Sequence, residues 1–218
     1  QADPNHGPTA PNEAAGEYEN DRDRPKPEKW NVEAEHGPTQ TVTIQTTTGT
    51  WLSLDVSPDG KTLVFGLLGD IYSLPIDGGD ARSLSKGPAW DMQPRFSPDG
   101  SEIAFTSDRG GGDNIWVMKH DGKDPTAITK EIYRLFNSPV WTPDGKYIAA
   151  RKHFTSRRSV GAGEIWLMHR RGGSGVQMTK RQNQQKDLGE PTFSPDGRYL
   201  VTTSFDETVN VYEVGQEQ

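Results

Sequence analysis

Gln93-Pro94-Arg95-Phe96-Ser97-Pro98-Asp99-Gly100-Ser101-Glu102-Ile103-Ala104-Phe105-Thr106-Ser107 is two strand-like runs joined by Ser-Pro-Asp-Gly. Pro presets φ at the second turn position, Ser and Asp bond local backbone groups, and Gly accepts a final conformation that side chains resist. The stretch reads as a β-hairpin. The same device returns as Ser57-Pro58-Asp59-Gly60, Thr142-Pro143-Asp144-Gly145 and Ser194-Pro195-Asp196-Gly197, so the four turns are spaced by 40, 45 and 52 residues. That spacing suits one blade of a β-propeller.

Outward from each turn the strands recur in order. In the second repeat a Gly-rich loop leads from Ser107 to Asn114-Ile115-Trp116-Val117-Met118, then Asp121-Gly122 turns the chain into Thr126-Ala127-Ile128-Thr129. The first and third repeats carry the same four runs. The expected fold is therefore all-β, a β-propeller of four-stranded antiparallel blades at about 50–86, 90–130, 137–180 and 189–214, within a domain spanning 40–218. Alternation of period two predicts that each sheet buries both faces in part against its neighbours. Trp116, Trp141 and Trp166 fall at repeat positions and are assigned to packing between blades.

The fourth repeat supplies three runs, ending at Thr208-Val209-Asn210-Val211-Tyr212, and the chain ends at Gln218. At the front, Thr41-Val42-Thr43-Ile44-Gln45-Thr46 alternates as a strand should and has no hairpin partner. The economical expectation pairs Val42 and Ile44 with Val209 and Val211, closing the ring and hiding a sheet edge. The alternative is a strand belonging to a ring with more blades than this chain holds.

Composition agrees with an all-β chain: 24 Gly and 16 Pro punctuate short apolar runs throughout the 218 residues. Cysteine is absent, which excludes a disulfide framework, a thiolate metal site and a cysteine nucleophile. The net charge of −7 is uneven, because residues 1–39 carry nine acids against four bases. With few large apolar residues, this segment reads as an acidic Pro-rich arm. Nucleic-acid binding needs clustered Lys and Arg, and this acidic chain lacks such a face. No apolar stretch is long enough to span a bilayer as a helix, so membrane insertion is not expected.

These repeats resemble the TolB-like propeller unit, roughly Pro-x-Phe/Trp-Ser-Pro-Asp-Gly, an Ile-Ala-Phe-type strand, then Ile-Trp-Val-Met-x-x-Asp-Gly. More narrowly, Leu67-Leu68-Gly69-Asp70-Ile71-Tyr72, Trp90 to Phe96 and Ser107 to Asn114 resemble the amino-terminal propeller of exported bacterial amidohydrolases. In that family further blades and a metal-dependent hydrolase barrel follow. The resemblance implies a periplasmic or secreted bacterial protein. It also implies a non-catalytic module that docks protein partners or a tethered hydrolase domain. The alternatives are the propeller portion of an amidohydrolase, and a self-associating structural ring that uses the arm and an open blade edge.

No catalytic, cofactor or metal-ligating set is legible. His6, His36, His120, His153 and His169 are isolated, with no His-x-His pair, and no Gly-x-Ser-x-Gly elbow occurs. The most site-like stretch is Asp108-Arg109-Gly110-Gly111-Gly112-Asp113-Asn114, where glycines expose backbone amides between two acids. Calcium held by its oxygens is one reading, although the spacing is not that of an EF-hand. Local pairing of Asp and Arg in a flexible loop is the simpler one. The matching loop of the third repeat contains Arg157 and Arg158. Trp90, Asp108, Arg109, Asp113, Asn114, Arg157 and Arg158 are thus the candidate partner-binding residues, with Trp90 offering an indole for recognition.

Overall fold

The computed structural model describes residues 31–34, 36–40, 42–50, 52–132, 135–153, 163–180, 188–204 and 207–215. They form four antiparallel sheets in chain order. The first contains β1 (Leu54–Val56), β2 (Thr62–Leu67), β3 (Asp70–Pro75) and β4 (Arg82–Ser83). The second contains β5 (Asp91–Phe96), β6 (Glu102–Ser107), β7 (Asn114–Lys119) and β8 (Thr126–Ala127). The third contains β9 (Phe136–Trp141), β10 (Tyr147–His153), β11 (Gly163–His169) and β12 (Val176–Gln177). The fourth contains β13 (Leu188–Phe193), β14 (Tyr199–Ser204) and β15 (Val209–Glu213).

Each Pro-Asp-Gly turn closes the first hairpin of its blade by the same bonds. In the second blade the Ser97 hydroxyl donates to Asp99 Oδ1 (2.6 Å) and accepts from the Glu102 amide (2.9 Å), while Gly100 N–H donates to the Ser97 carbonyl (2.8 Å). Gly60, Gly100, Gly145 and Gly197 have φ between 67° and 73°, a region costly for a residue with a Cβ. The turns also meet one another. A Cβ at Gly100 would lie 3.4 Å from Pro58 Cδ, one at Gly145 3.7 Å from Pro98 Cδ, and one at Gly197 3.7 Å from Pro143 Cδ, whereas Gly60 has nothing within 4 Å. The series therefore runs from blade one to blade four without returning.

Apolar burial follows the same progression. Val64, Ile71, Leu84, Ile103, Phe105 and Met118 fill the core between blades one and two, with Trp116 against it. Ala104, Ile115, Ile128, Phe136, Trp141, Ile148 and Met168 fill the next, with Trp166. Ala149, Ile165, Leu188 and Leu200 fill the third, with Phe193 and Tyr212. β6 and β10 contribute to cores on both sides, and each fully buried Ile, Leu or Phe is worth about 1.5–3 kcal/mol relative to exposure. The assignment of the three repeat tryptophans to packing agrees with these cores.

Ring closure is where the structure departs from expectation. Residues 42–46 form no strand, Val42 and Ile44 are 70% and 59% exposed, and among the described residues β15 pairs with β14 alone. Pairing of Val42 and Ile44 with Val209 and Val211 is not formed. The physical reason is the open progression of turns: blade four packs on blade three, not on blade one, so local alternation in 41–46 does not bring that segment to β15.

Candidate functional site

The β2–β3 and β6–β7 hairpins and the β4–β5 connection emerge at the end of the sheets opposite the Pro-Asp-Gly turns. Trp90, Asp108, Arg109 and Asp113 therefore share one end of the domain, in the loops that follow β4 and β6, with Asn114 opening β7. Arg157 and Arg158 lie outside the described residues.

Within this group the side chains have different duties. Trp90 is 49% exposed. Its backbone N–H donates to Asp108 Oδ1 (2.8 Å), and its ring lies over Gly69, where an added Cβ would meet Cε3 at 3.0 Å. The neighbouring amide of Asp91 donates to the Gly69 carbonyl (2.7 Å), fastening the β2–β3 hairpin to blade two. At the first central position of that hairpin stands Leu68, 68% exposed with φ of 54°, followed by Gly69 at 89°. Positive φ at both positions is the rule for tight hairpins, but Asn, Asp or Gly normally fills the first one. A leucine there is conformationally strained and turned to solvent.

Arg109, a candidate partner-binding residue, is engaged within the domain, and its partner is not an aspartate of its own loop. Its guanidinium pairs with Asp91, which is buried, and Nε donates to Ser107 Oγ (3.0 Å). It lies 5.5 Å from the Phe105 ring centroid and 5.3 Å from that of Trp116, with Glu33 Oε1 at 3.7 Å on its outer side. Burial explains the choice of partner: Asp91 cannot be solvated, so it takes the guanidinium in preference to half-buried Asp108. Asp70 lies in the same environment, and its carboxyl is pushed above the usual range first by burial and then by the charge of Asp91.

Asp113 and Asn114 are also buried, contrary to a surface role. Asn114 Oδ1 accepts from Thr129 Oγ1 (2.7 Å) and the Glu131 amide (2.8 Å), while Nδ2 donates to the carbonyls of Gly112 (3.0 Å) and Glu131 (2.9 Å). All four of its hydrogen-bonding capacities are used. Of the oxygens in this loop, Asp108 Oδ1 caps Trp90 and those of Asn114 and Gly112 accept the bonds just described. Among the described residues no three His, Asp or Glu side chains gather as a metal set.

A second cluster lies on the innermost strands, unanticipated from sequence. Gln93 and Ser138 stand at equivalent positions four residues before their turns, both with left-handed φ (55° and 54°). Ser138 N–H and Thr106 Oγ1 donate to Gln93 Oε1 (2.8 and 3.0 Å), and Gln93 Nε2 donates to Ser138 Oγ (3.0 Å) and Glu190 Oε1 (3.4 Å). Register shifts in β5 and β9 accompany the strain, as in β-bulges that re-aim side chains. The available signal was the proline that follows each: Gln93-Pro94, Ser138-Pro139 and Glu190-Pro191.

The family model of the TolB beta propeller domain matches residues 38–204. The chain belongs to the TolB beta-propeller family. This TolB-type propeller is 29% identical over 153 residues to an uncharacterized peptidase, YuxL, of Bacillus subtilis (strain 168), covering 66% of this chain and 20% of the peptidase. Among solved structures it is similar to a putative TolB from Agrobacterium tumefaciens (TM-score 0.58, 23% identity, covering 76% of this chain and 61% of the other). It is also similar in fold to a chain of a nidogen/laminin complex (TM-score 0.62, 14% identity, 76% and 61% covered). The chain thus spans one fifth of the peptidase's length. No helix among the described residues is long and apolar enough to cross a membrane.

Proposed function

We propose that this TolB-type propeller is a non-catalytic docking module for a protein partner or an associated hydrolase domain, exported in a bacterium. The end of the sheets that carries Leu68 and Trp90 is the docking face. The observation behind this reading is the strained, exposed Leu68 beside a half-exposed indole whose backbone is pinned by Asp108. Aromatic anchors held in one orientation lose little entropy on binding, which is why such residues dominate interface energetics. Export rests on family likeness. A second reading, the propeller portion of a hydrolase, is favoured by the peptidase relative, of which the chain matches one fifth.

A photo-crosslinking residue placed at position 90, and separately at Tyr147 near the opposite end, tests the docking face in cells. The expected result is one discrete product from position 90, lost with Leu68→Asp, and none from position 147. Equal products from both sites, or none from position 90, would sink the reading. Hydrolysis of amide or ester substrates by the purified chain would overturn its non-catalytic part.

A further inference from the structure

We propose that the seam between blades one and two, at the Pro-Asp-Gly end, receives an arginine side chain of a partner polypeptide. The next seam along the series shows what fills such a place. There Arg170 of blade three reaches back to blade two. Its guanidinium pairs with Glu102 and lies 5.5 Å from the Trp141 ring centroid, and Nη1 donates to the Gly145 carbonyl (3.3 Å). Its charge also acts on Asp99, the turn aspartate of blade two.

One seam earlier the repeat puts His120 and Thr62 in the corresponding places. His120 N–H donates to the Ser101 carbonyl (3.0 Å) as Arg170 N–H donates to that of Lys146 (3.0 Å), each carbonyl belonging to the residue after a turn glycine. Thr62 N–H donates to Ser57 Oγ (2.9 Å) as Glu102 N–H donates to Ser97 Oγ (2.9 Å). Phe96, immediately before its turn, matches Trp141. Thr62 carries no charge and a histidine is shorter than an arginine, so the pair of Arg170 and Glu102 has no counterpart here. The seam is instead an open groove of about 870 Å³.

Pro58, Leu74, Pro75 and Phe96 form the apolar wall of this groove, and Asp59, Asp80, Asp99 and Asp121 bring four carboxylates to it. Against them stand His120 and Arg82, whose guanidinium donates to the Asp121 carbonyl (3.2 Å), while Lys123 engages the Asp121 carboxylate (2.7 Å). Asp59 and Asp99 use Oδ1 for their turn bonds, from Ser57 and Ser97 hydroxyls and from the amides of Lys61 and Ser101. Those bonds hold both carboxyls below the ordinary range, Asp99 at about 2, so both are ionised at neutral pH. Negative charge beside an aromatic ring selects a guanidinium, which stacks on the ring while its planar fork of N–H groups meets the carboxylates. An ammonium ion is more strongly hydrated and presents a single point of charge. Both blades of this seam are complete four-stranded sheets. The groove lies at the opposite end of the sheets from Leu68 and Trp90, and none of its lining residues belongs to blade three.

Titration of hexaarginine amide into the isotope-labelled chain, followed by backbone amide chemical shifts, tests this, with hexalysine amide for comparison. The expected result is a set of shifts centred on Asp59, Thr62, Phe96 and His120, and weaker binding of hexalysine. The double variant Thr62→Glu/His120→Arg installs the pair of the next seam and leaves the net charge unchanged, so general attraction between an acidic protein and a basic peptide is retained. Its affinity for hexaarginine should fall about tenfold or more, as expected for loss of a hydrogen-bonded charge contact. Near-UV circular dichroism checks that the variant folds, and the shift map of the unaltered chain decides the matter if it does not. Shifts that are absent or centred elsewhere, equal binding of the two peptides, or undiminished affinity in the folded double variant would each overturn the proposal.

Discussion

Replacing Arg109 by Met distinguishes a structural cation from a binding one. The Arg109 and Asp91 side chains are 10% and 1% exposed, and Asp91 Oδ1 has no partner among the described residues. Removing the guanidinium leaves a buried carboxylate close to the negative charge of Asp70. Breaking a buried pair from one side costs about 3–5 kcal/mol. For a domain of this size each kcal/mol lowers the melting temperature by roughly 2–4 °C, so Arg109→Met is expected to melt about 6–20 °C lower. The Asp91→Asn/Arg109→Met double variant, with no orphaned charge, recovers most of that loss. Thermal unfolding followed by circular dichroism, with urea titration of tryptophan fluorescence, measures both. A single-variant loss below about 1 kcal/mol, the value of an exposed pair, would refute the reasoning and return Arg109 to the list of partner-facing residues.

Thr129→Val keeps shape but leaves the buried Ile115 N–H without its acceptor, a loss of about 1–3 kcal/mol in urea unfolding; Thr129→Ser retains the bond and stays close to the parent. The carboxyls of Asp59, Asp99, Asp144 and Asp196 lie below the ordinary range because a Ser or Thr hydroxyl donates to each, with Asp99 lowered to about 2. Their stabilisation is present above pH 4 and is lost as pH falls toward 2, so melting temperature should drop across that window and Asp99→Ala should flatten the drop. Gly122→Ala forces a Cβ to 2.4 Å from the Leu84 carbonyl oxygen at φ of 89°, whereas Gly78→Ala at 91° meets open space. The first should cost at least about 1 kcal/mol more than the second in paired melts, because only it adds a steric clash to the backbone strain.

The blade repeat was legible because it is local chemistry. Ser97, Pro98, Asp99 and Gly100 meet all their turn obligations within five residues, and the nearly continuous apolar runs in 102–107 and 114–119 follow from burial on two faces. Trp116, Trp141 and Trp166 could be assigned to packing because equivalent repeat positions face equivalent neighbours. The proposed docking face was legible only in outline. Trp90 and Asp108 were placed at one end by the order of turns, but the exposure of Leu68 depends on backbone geometry at one hairpin.

What the sequence determined by itself was therefore the blade, its four turns and their order, since each rests on interactions between residues close in the chain. The partner of each buried charge was decided by tertiary structure: Arg109 goes to Asp91, eighteen residues away, because burial makes that carboxylate the costlier one to leave unpaired. Tertiary structure also decided the fate of residues 42–46. Strand propensity makes them able to pair, but pairing needs an edge within reach, and among the described residues they join no sheet.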